Sequence, residues 1–288
     1  MTAVFVLDCD PSDAADGEPP GPGHIKVMTF NILCSFCKPG EYDPWEARLT
    51  YFADIFARHE PDLVGIQELV NAREVDQFKK LLPDHDAVFY RKGRLAYPDS
   101  TIFYRRDRFE LIESGVYWLS PKPDKAFTRG FAKGPQLPRC VVWAMFRQVR
   151  GQTRFLFATT HFDNNPPSQE RSAPLLLERT VRRASDLPVI ITGDFNSKPA
   201  SKAYASLTQA ASGGFRLANT YDVARDKRTV ANQTPVPKYE PAHRIDHIFV
   251  GGSARWTVRE WAVDLTVYGK KKRYPSDHRA IIAEVAFQ

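Results

Sequence analysis

PVIITGDFNSKP, residues 188–199, is a short apolar run that stops on Asp194 and Asn196. Val189, Ile190, Ile191 and Thr192 are β-branched and show no helical period, so the segment reads as a buried strand that Gly193 brings to an end. A single Asp-x-Asn after glycine is an ordinary turn, because both side chains hydrogen-bond their own backbone. Its meaning changes because the same event recurs along the chain. Asn31 follows VMTF, Glu68 follows VGIQ, and His161 and Asp163 follow FLFATT. Asp246 lies in RIDHIFV, and Asp277–His278 stands just before AIIAEVAF. Independent turns do not call for oxygen or imidazole groups at every stop. Strand ends on one edge of a sheet converge, and converging carboxylates and amide oxygens suit Mg²⁺ or Mn²⁺ rather than zinc.

Working outward, IKVMTFNI begins a regular pattern at Ile25. In DPWEARLTYFADIFARHE, Asp43 is predicted as N-cap, Pro44 as the first helical residue and Glu46 as the third. LVGIQE (63–68) is a strand and 71–82 a helix. DAVFY, TIFYRR, FELIESGVYWLS, VVWAMFRQV and TRFLFATTHF are β-rich. A helix is predicted over 168–185 and a short one over 201–211, before the strands RIDHIFV, WTVREWAVDL and AIIAEVAF. Strands outnumber helices and several follow one another directly. Two packed sheets with outer helices fit this order better than a doubly wound sheet.

The chain has 288 residues, 43% hydrophobic and 26% charged, as in an ordinary globular protein. No apolar run is long enough to span a bilayer. Ala3 to Leu7 is too short for a signal peptide, so a cytoplasmic location is expected. Residues 8–23, acidic and rich in Pro and Gly, predict a flexible arm over 1–24 and one domain over 25–288. The net charge of +6 is compatible with an anionic substrate. A monomer is expected. Cys34 and Cys37 form a Cys-x-x-Cys pair, yet no second close-spaced Cys or His pair completes a zinc set. Lys38-Pro39-Gly40 follows as a turn where a thioredoxin-like helix would open. The expectation is two reduced loop thiols that carry no function.

Taken together, TFNIL, GIQEL, TTHFDN, GDFNSKP, RIDHIFV and YPSDHRAI resemble the endonuclease/exonuclease/phosphatase superfamily, the DNase I-like metal-dependent phosphoesterases. WLSPKP (118–123) and Arg171 are similar to an uncharacterised bacterial and fungal subgroup of hydrolases. The resemblance runs from Ile25 to Gln288 and implies a four-layered α/β sandwich. It also implies roles. Glu68 would be the principal ligand of Mg²⁺ or Mn²⁺, with Asn31 and Asp277 nearby, directly or through water. Asp194 and Asn196 would orient the attacking water and the phosphate. His278 would contact the phosphate or act as base, with Asp246 fixing its tautomer. His161 would donate to a phosphoryl oxygen and Asp163 would orient a neighbour. Either Asp194 or His278 could be the base.

The chain departs from the subgroup at Asp99-Ser100-Thr101, where a glutamate tends to precede the strand, and at Asn164, where histidine is frequent. A phosphodiester resists attack by water, so hydrolysis needs a cation, donors for the developing charge and a base. For substrate binding, Arg139, Arg171, Lys272 and Arg273 are the candidates. The Lys270–Arg273 run beside Asp277 could guide a polyanion, or be a solvated loop. The expected activity is phosphodiesterase or nuclease. Hydrolysis of a small phosphorylated metabolite or phospholipid is the alternative, and a non-catalytic binding module the remote one.

Overall fold

The structure, a computed structural model, describes residues 23–134, 136–184, 186–209 and 215–288. Of the arm predicted over 1–24, residues 1–22 lie outside the described residues. Two mixed sheets stack face to face with helices on their outer surfaces.

The first sheet is built from β1 (Ile25–Asn31), β2 (Leu63–Gln67), β3 (His85–Lys92), β4 (Leu95–Arg105), β10 (Asp226–Val230), β12 (Trp256–Asp264) and β13 (Ala280–Phe287). Its order is β10-β12-β13-β1-β2-β4-β3. The second contains β5 (Phe109–Trp118), β6 (Cys140–Gln148), β7 (Arg154–His161), β8 (Pro188–Asp194), β9 (Leu217–Asn219) and β11 (Asp246–Gly252). Its order is β5-β6-β7-β8-β11-β9. Helices α1 (Trp45–His59) and α2 (Ala72–Leu81) cover the first sheet through Phe52, Ile55, Phe56 and Phe78. The second sheet is covered by α3 (Ser168–Ala184) and α4 (Lys202–Thr208), with Leu176, Leu177 and Leu207 buried. A short α5 (Thr220–Val223) follows β9.

Between the sheets Phe146, Phe155, Phe157, Trp261 and Ile281 form an apolar layer. Near its centre the sheets come very close. A Cβ on Gly65 of β2 would stand 2.2 Å from Thr192 Oγ1 and 2.4 Å from Thr159 Oγ1, so only glycine fits there.

The register sets up the site. Parallel pairing of β7 with β8 places His161 opposite Asp194. Antiparallel pairing of β8 with β11 places Asp246 opposite Asp194. Three candidate site residues thus stand abreast where β7 and β8 end and β11 begins. Parallel β1 and β2 end beside one another in the facing sheet, at Asn31 and Gln67.

One cap differs from expectation. Helix α1 has Pro44 as its N-cap and no side-chain cap. Asp43 instead accepts from the Tyr51 hydroxyl at 3.0 Å and from Arg273 at 3.4 Å. A hydroxyl from the second turn of α1 and a guanidinium from the distant 268–273 turn take its oxygens in place of the first helical amides.

The far end of α1 is tied to β12 by buried Asp264, which accepts from Arg58 Nη1 at 2.7 Å and the Thr266 amide at 2.8 Å and lies 2.8 Å from His59 Nε2. Burial opposes the charge, but the bonds from His59 and Thr266 hold this carboxyl at about 2. Its folded value lies below its unfolded one, so the stability it contributes is present above about pH 4 and is lost as pH falls through 2. Asp264→Asn leaves Arg58 without its buried partner. It is expected to cost about 3 kcal/mol by urea unfolding at pH 7, with the difference from wild type shrinking toward pH 2.

Candidate active site

Asn31 ends β1 fully buried. Its Nδ2 donates to Glu68 Oε1 at 2.9 Å and to Asp194 Oδ2 at 3.1 Å, and its Oδ1 accepts from the Leu33 amide at 3.1 Å. The amide nitrogen, not the oxygen, faces the carboxylates. In this metal-free arrangement Asn31 bridges the two carboxylates that would stand beside a cation. Glu68 follows β2 with φ of 75°, a left-handed backbone that is costly outside glycine and common at working sites. Its Oε2 accepts from the Cys34 amide at 2.9 Å.

Asp194 is the hub. Its Oδ1 accepts from the Asn196 amide at 2.9 Å, and its Oδ2 lies 3.3 Å from His161 Nε2 and 3.6 Å from His278 Nε2. Asn196, also left-handed with φ of 47°, donates through Nδ2 to the Phe162 carbonyl at 2.8 Å.

His161 is oriented from behind. Arg139 Nη1 lies 2.8 Å from His161 Nδ1 and donates to both oxygens of Asp99, at 2.9 and 2.8 Å. His161 Nδ1 is flanked by this guanidinium and by Asp99 Oδ1, 3.3 Å away, which turns Nε2 toward Asp194. Burial alone would raise the Asp99 carboxyl; Arg139, aided by His161, outweighs it and holds the group well below the usual carboxylate range. Arg139 therefore reaches the site through His161. Asp99 was legible in the sequence only as a departure from the subgroup, and its partner lies forty residues downstream.

His278 Nδ1 lies 2.8 Å from Asp246 Oδ2. Burial would lower the imidazole, but Asp246, Asp194 and Asp277 outweigh it and push it up to about 10. Asp246 Oδ1 is buried without a hydrogen-bond partner among the described residues. Asp277 Oδ2 accepts from Lys38 Nζ at 2.6 Å, a contact with no advance sign in the sequence. Burial opposes that pair, yet Lys38 and His278 keep the Asp277 carboxyl low.

Other candidates lie apart from this network. Asp163 accepts from the Asn165 amide and Nδ2, at 3.0 and 2.7 Å, and from Ser168 Oγ at 3.1 Å. Ser168 Oγ in turn accepts from Phe131 and Ala132 amides. Asp163 thus secures the start of α3 to the 128–133 loop. Arg171 is exposed in the first turn of α3. Lys272 is exposed in a turn closed by Tyr268 and Arg273, and Arg273 pairs with Asp43. Cys34 and Cys37 are joined in a disulfide, which corrects the expectation of two reduced thiols. The turn in which the Cys37 amide donates to the Cys34 carbonyl brings their Cα atoms to 5.2 Å, within bonding range.

The donor chemistry fits a hard divalent cation. Glu68, Asp194, Asp246 and Asp277 crowd carboxylates at the same strand ends, and the disulfide leaves no thiolate beside them. Asp194, Asp246 and His278 bring polar atoms within 4.8 Å of one another, and with the imidazole protonated the two carboxylates are the donors a cation would use there. The unpartnered Asp246 oxygen adds anionic demand there.

The family described as Endonuclease/Exonuclease/phosphatase matches residues 28–278. The chain belongs to this family. A mannosyl-6-phosphatase of Bacteroides thetaiotaomicron superposes with a TM-score of 0.77 at 27% identity. The alignment covers 91% of this chain and all of that one (100%). Protein angel of Drosophila melanogaster is 27% identical over 62% of the chain and 53% of its own length. A probable CCR4-Not complex 3'-5'-exoribonuclease subunit of Encephalitozoon cuniculi is 26% identical over 64% of the chain and 43% of its own. The chain thus spans about half the length of these two curated relatives. With the endonuclease/exonuclease/phosphatase family comes the reaction class, hydrolysis of phosphoester bonds. No described helix is long and apolar enough to cross a membrane.

Proposed function

We propose that this chain is a Mg²⁺- or Mn²⁺-dependent hydrolase of a small phosphate ester. The observation that carries the reading is Asp194, held at once by Asn31, Asn196, His161 and His278. Asp194 orients the attacking water and takes its proton, because His278 already carries one at neutral pH. His161 Nε2–H and the His278 imidazolium donate to phosphoryl oxygens as charge builds on them. Glu68 and Asp277 would hold the cation, which when bound neutralises phosphoryl charge. Asn31 keeps Glu68 and Asp194 at fixed separation.

Two observations favour a small substrate. One relative aligned over its whole length is a mannosyl-6-phosphatase. A cavity of about 410 Å³ beside His278, lined by Tyr239, Arg244, Tyr274 and Arg279, has the size of one sugar or nucleoside. A nuclease is the second reading, supported by the exoribonuclease relative and the exposed Lys270–Lys272 run. Hydrolysis of sugar phosphates, nucleotides, oligonucleotides and bis-p-nitrophenyl phosphate should be measured with Mg²⁺, Mn²⁺ and EDTA. Turnover is expected only with metal, and fastest on a sugar phosphate or nucleotide. Full activity in EDTA would refute the metal dependence; preference for long oligonucleotides would favour the nuclease.

A further inference from the structure

The Cys34–Cys37 disulfide closes a turn directly against Glu68. The Cys34 amide donates to Glu68 Oε2 at 2.9 Å. Both sulfurs and a Glu68 carboxylate oxygen lie within 4.8 Å of one another. The loop does not need the disulfide to keep its path. Buried Arg48 donates through Nη1 to the Ile32 and Leu33 carbonyls at 2.7 and 2.8 Å, and through Nη2 to that of Cys34 at 3.0 Å. A further contact of 3.3 Å to the Pro275 carbonyl ties the loop to the segment before Asp277. Breaking the S–S bond therefore leaves Cys34 anchored beside the carboxylate, with Cys37 kept close by the bond from its amide to the Cys34 carbonyl at 3.1 Å. The loop crown is open to reagents: Phe36 is 70% exposed and Cys37 half-buried, whereas Cys140, the free cysteine among the described residues, is buried.

We propose that the reduced form of this loop is a site for a thiophilic divalent cation of the Zn²⁺ class, with Cys34 Sγ, Cys37 Sγ and a Glu68 oxygen as ligands. Two thiolates and one carboxylate make a set that Zn²⁺ accepts tetrahedrally, with a fourth position left for water. Bonds of about 2.0 to 2.3 Å place such ligands roughly 3.5 to 4 Å apart. Once the S–S bond is gone, atoms already inside 4.8 Å need only small side-chain rotations to reach that spacing. In the oxidised chain the sulfurs are bonded to each other and have no thiolate to give. A trialkylphosphine opens the site: phosphorus is oxidised to the phosphine oxide, taking the oxygen of one water, and its two hydrogens end on the sulfurs. Zn²⁺ then displaces the two thiol protons. The consequence that zinc loading withdraws Glu68 from the hard cation rests on the proposed function; the site itself does not.

The test is a Co²⁺ and Zn²⁺ titration of the full chain, oxidised or reduced with phosphine and desalted without air. One equivalent of Co²⁺ per reduced chain is expected, with thiolate-to-cobalt charge-transfer absorption that Zn²⁺ abolishes. The oxidised chain and the Cys34→Ser, Cys37→Ser double variant should show none. Glu68→Gln should weaken Zn²⁺ binding at least tenfold while both thiols remain titratable. No such absorption in the reduced wild-type chain would overturn the site, and undiminished affinity in Glu68→Gln would remove Glu68 from it. These readouts need no turnover, so a failed phosphate-release assay would count against the proposed function alone.

Discussion

Asp194→Asn is expected to reduce turnover of every phosphate ester by about a thousandfold, with the fold retained. The size follows from two losses at one position. In the proposed reaction the carboxylate takes the proton from water, and general-base removal costs about 10² to 10⁴. Its oxygens also accept from the Asn31 amide nitrogen and the Asn196 amide and face both histidines. An asparagine must turn its NH₂ toward one side of that ring of donors, so Asn31 or a histidine loses its acceptor. Asn31 then no longer links Glu68 to β8, and the carboxylate opposite drifts. Steady-state kinetics on a small ester at saturating Mg²⁺ should show the loss in kcat, with circular dichroism unchanged. A residual kcat within tenfold of wild type would remove Asp194 from the centre of the mechanism and return the base assignment to His278.

Much of this arrangement could be read in the sequence, because apolar strands announce themselves and their polar ends stand out. VMTF, VGIQ, FLFATT and VIIT become β1, β2, β7 and β8, and Asn31, Glu68, His161 and Asp194 stand where each stops. The two-sheet architecture followed from the strand order for the same reason. What the sequence did not carry is pairing. No single strand records that His161, Asp194 and Asp246 share one register row. The left-handed backbone at Glu68 and the direction of the Asn31 amide arise only after the sheets meet. Asp43 looked like a helix cap because spacing at the helix start says nothing of Tyr51 reaching back from the second turn or of Arg273 arriving from 230 residues away. Asp99 and Arg139 are an ion pair across forty residues, invisible to periodicity. The Cys-x-x-Cys spacing permits both thiols and a disulfide; the turn that brings the two Cα atoms to 5.2 Å selects the bond.

His278 offers the sharpest electrostatic test, because one neighbour dominates its charge. Burial alone would lower its pKa, and the opposing push comes first from Asp246, then from Asp194 and Asp277. In the metal-free protein the imidazole should therefore titrate near 10, followed by nitrogen-15 NMR in EDTA. Its folded value lies above its unfolded one, so its contribution to stability is complete below about pH 6.5 and is lost as pH rises through 10. Asp246→Asn removes the first of these pushes, its hydrogen bond included, and leaves only Asp194 and Asp277 against burial. The same resonance should then titrate below 8, leaving the side chain mostly neutral at pH 8. A neutral imidazole cannot donate from both nitrogens at once. If Nδ1–H stays on the oxygen of the introduced amide, Nε2 presents a lone pair to the phosphoryl group, and turnover at pH 8 should fall by about a hundredfold. Lowering the pH should restore part of that rate in the variant and none in wild type. If His278 in metal-free wild type titrates near its ordinary value, the imidazolium donor is excluded, and neutral His278 becomes the base that accepts the proton from water.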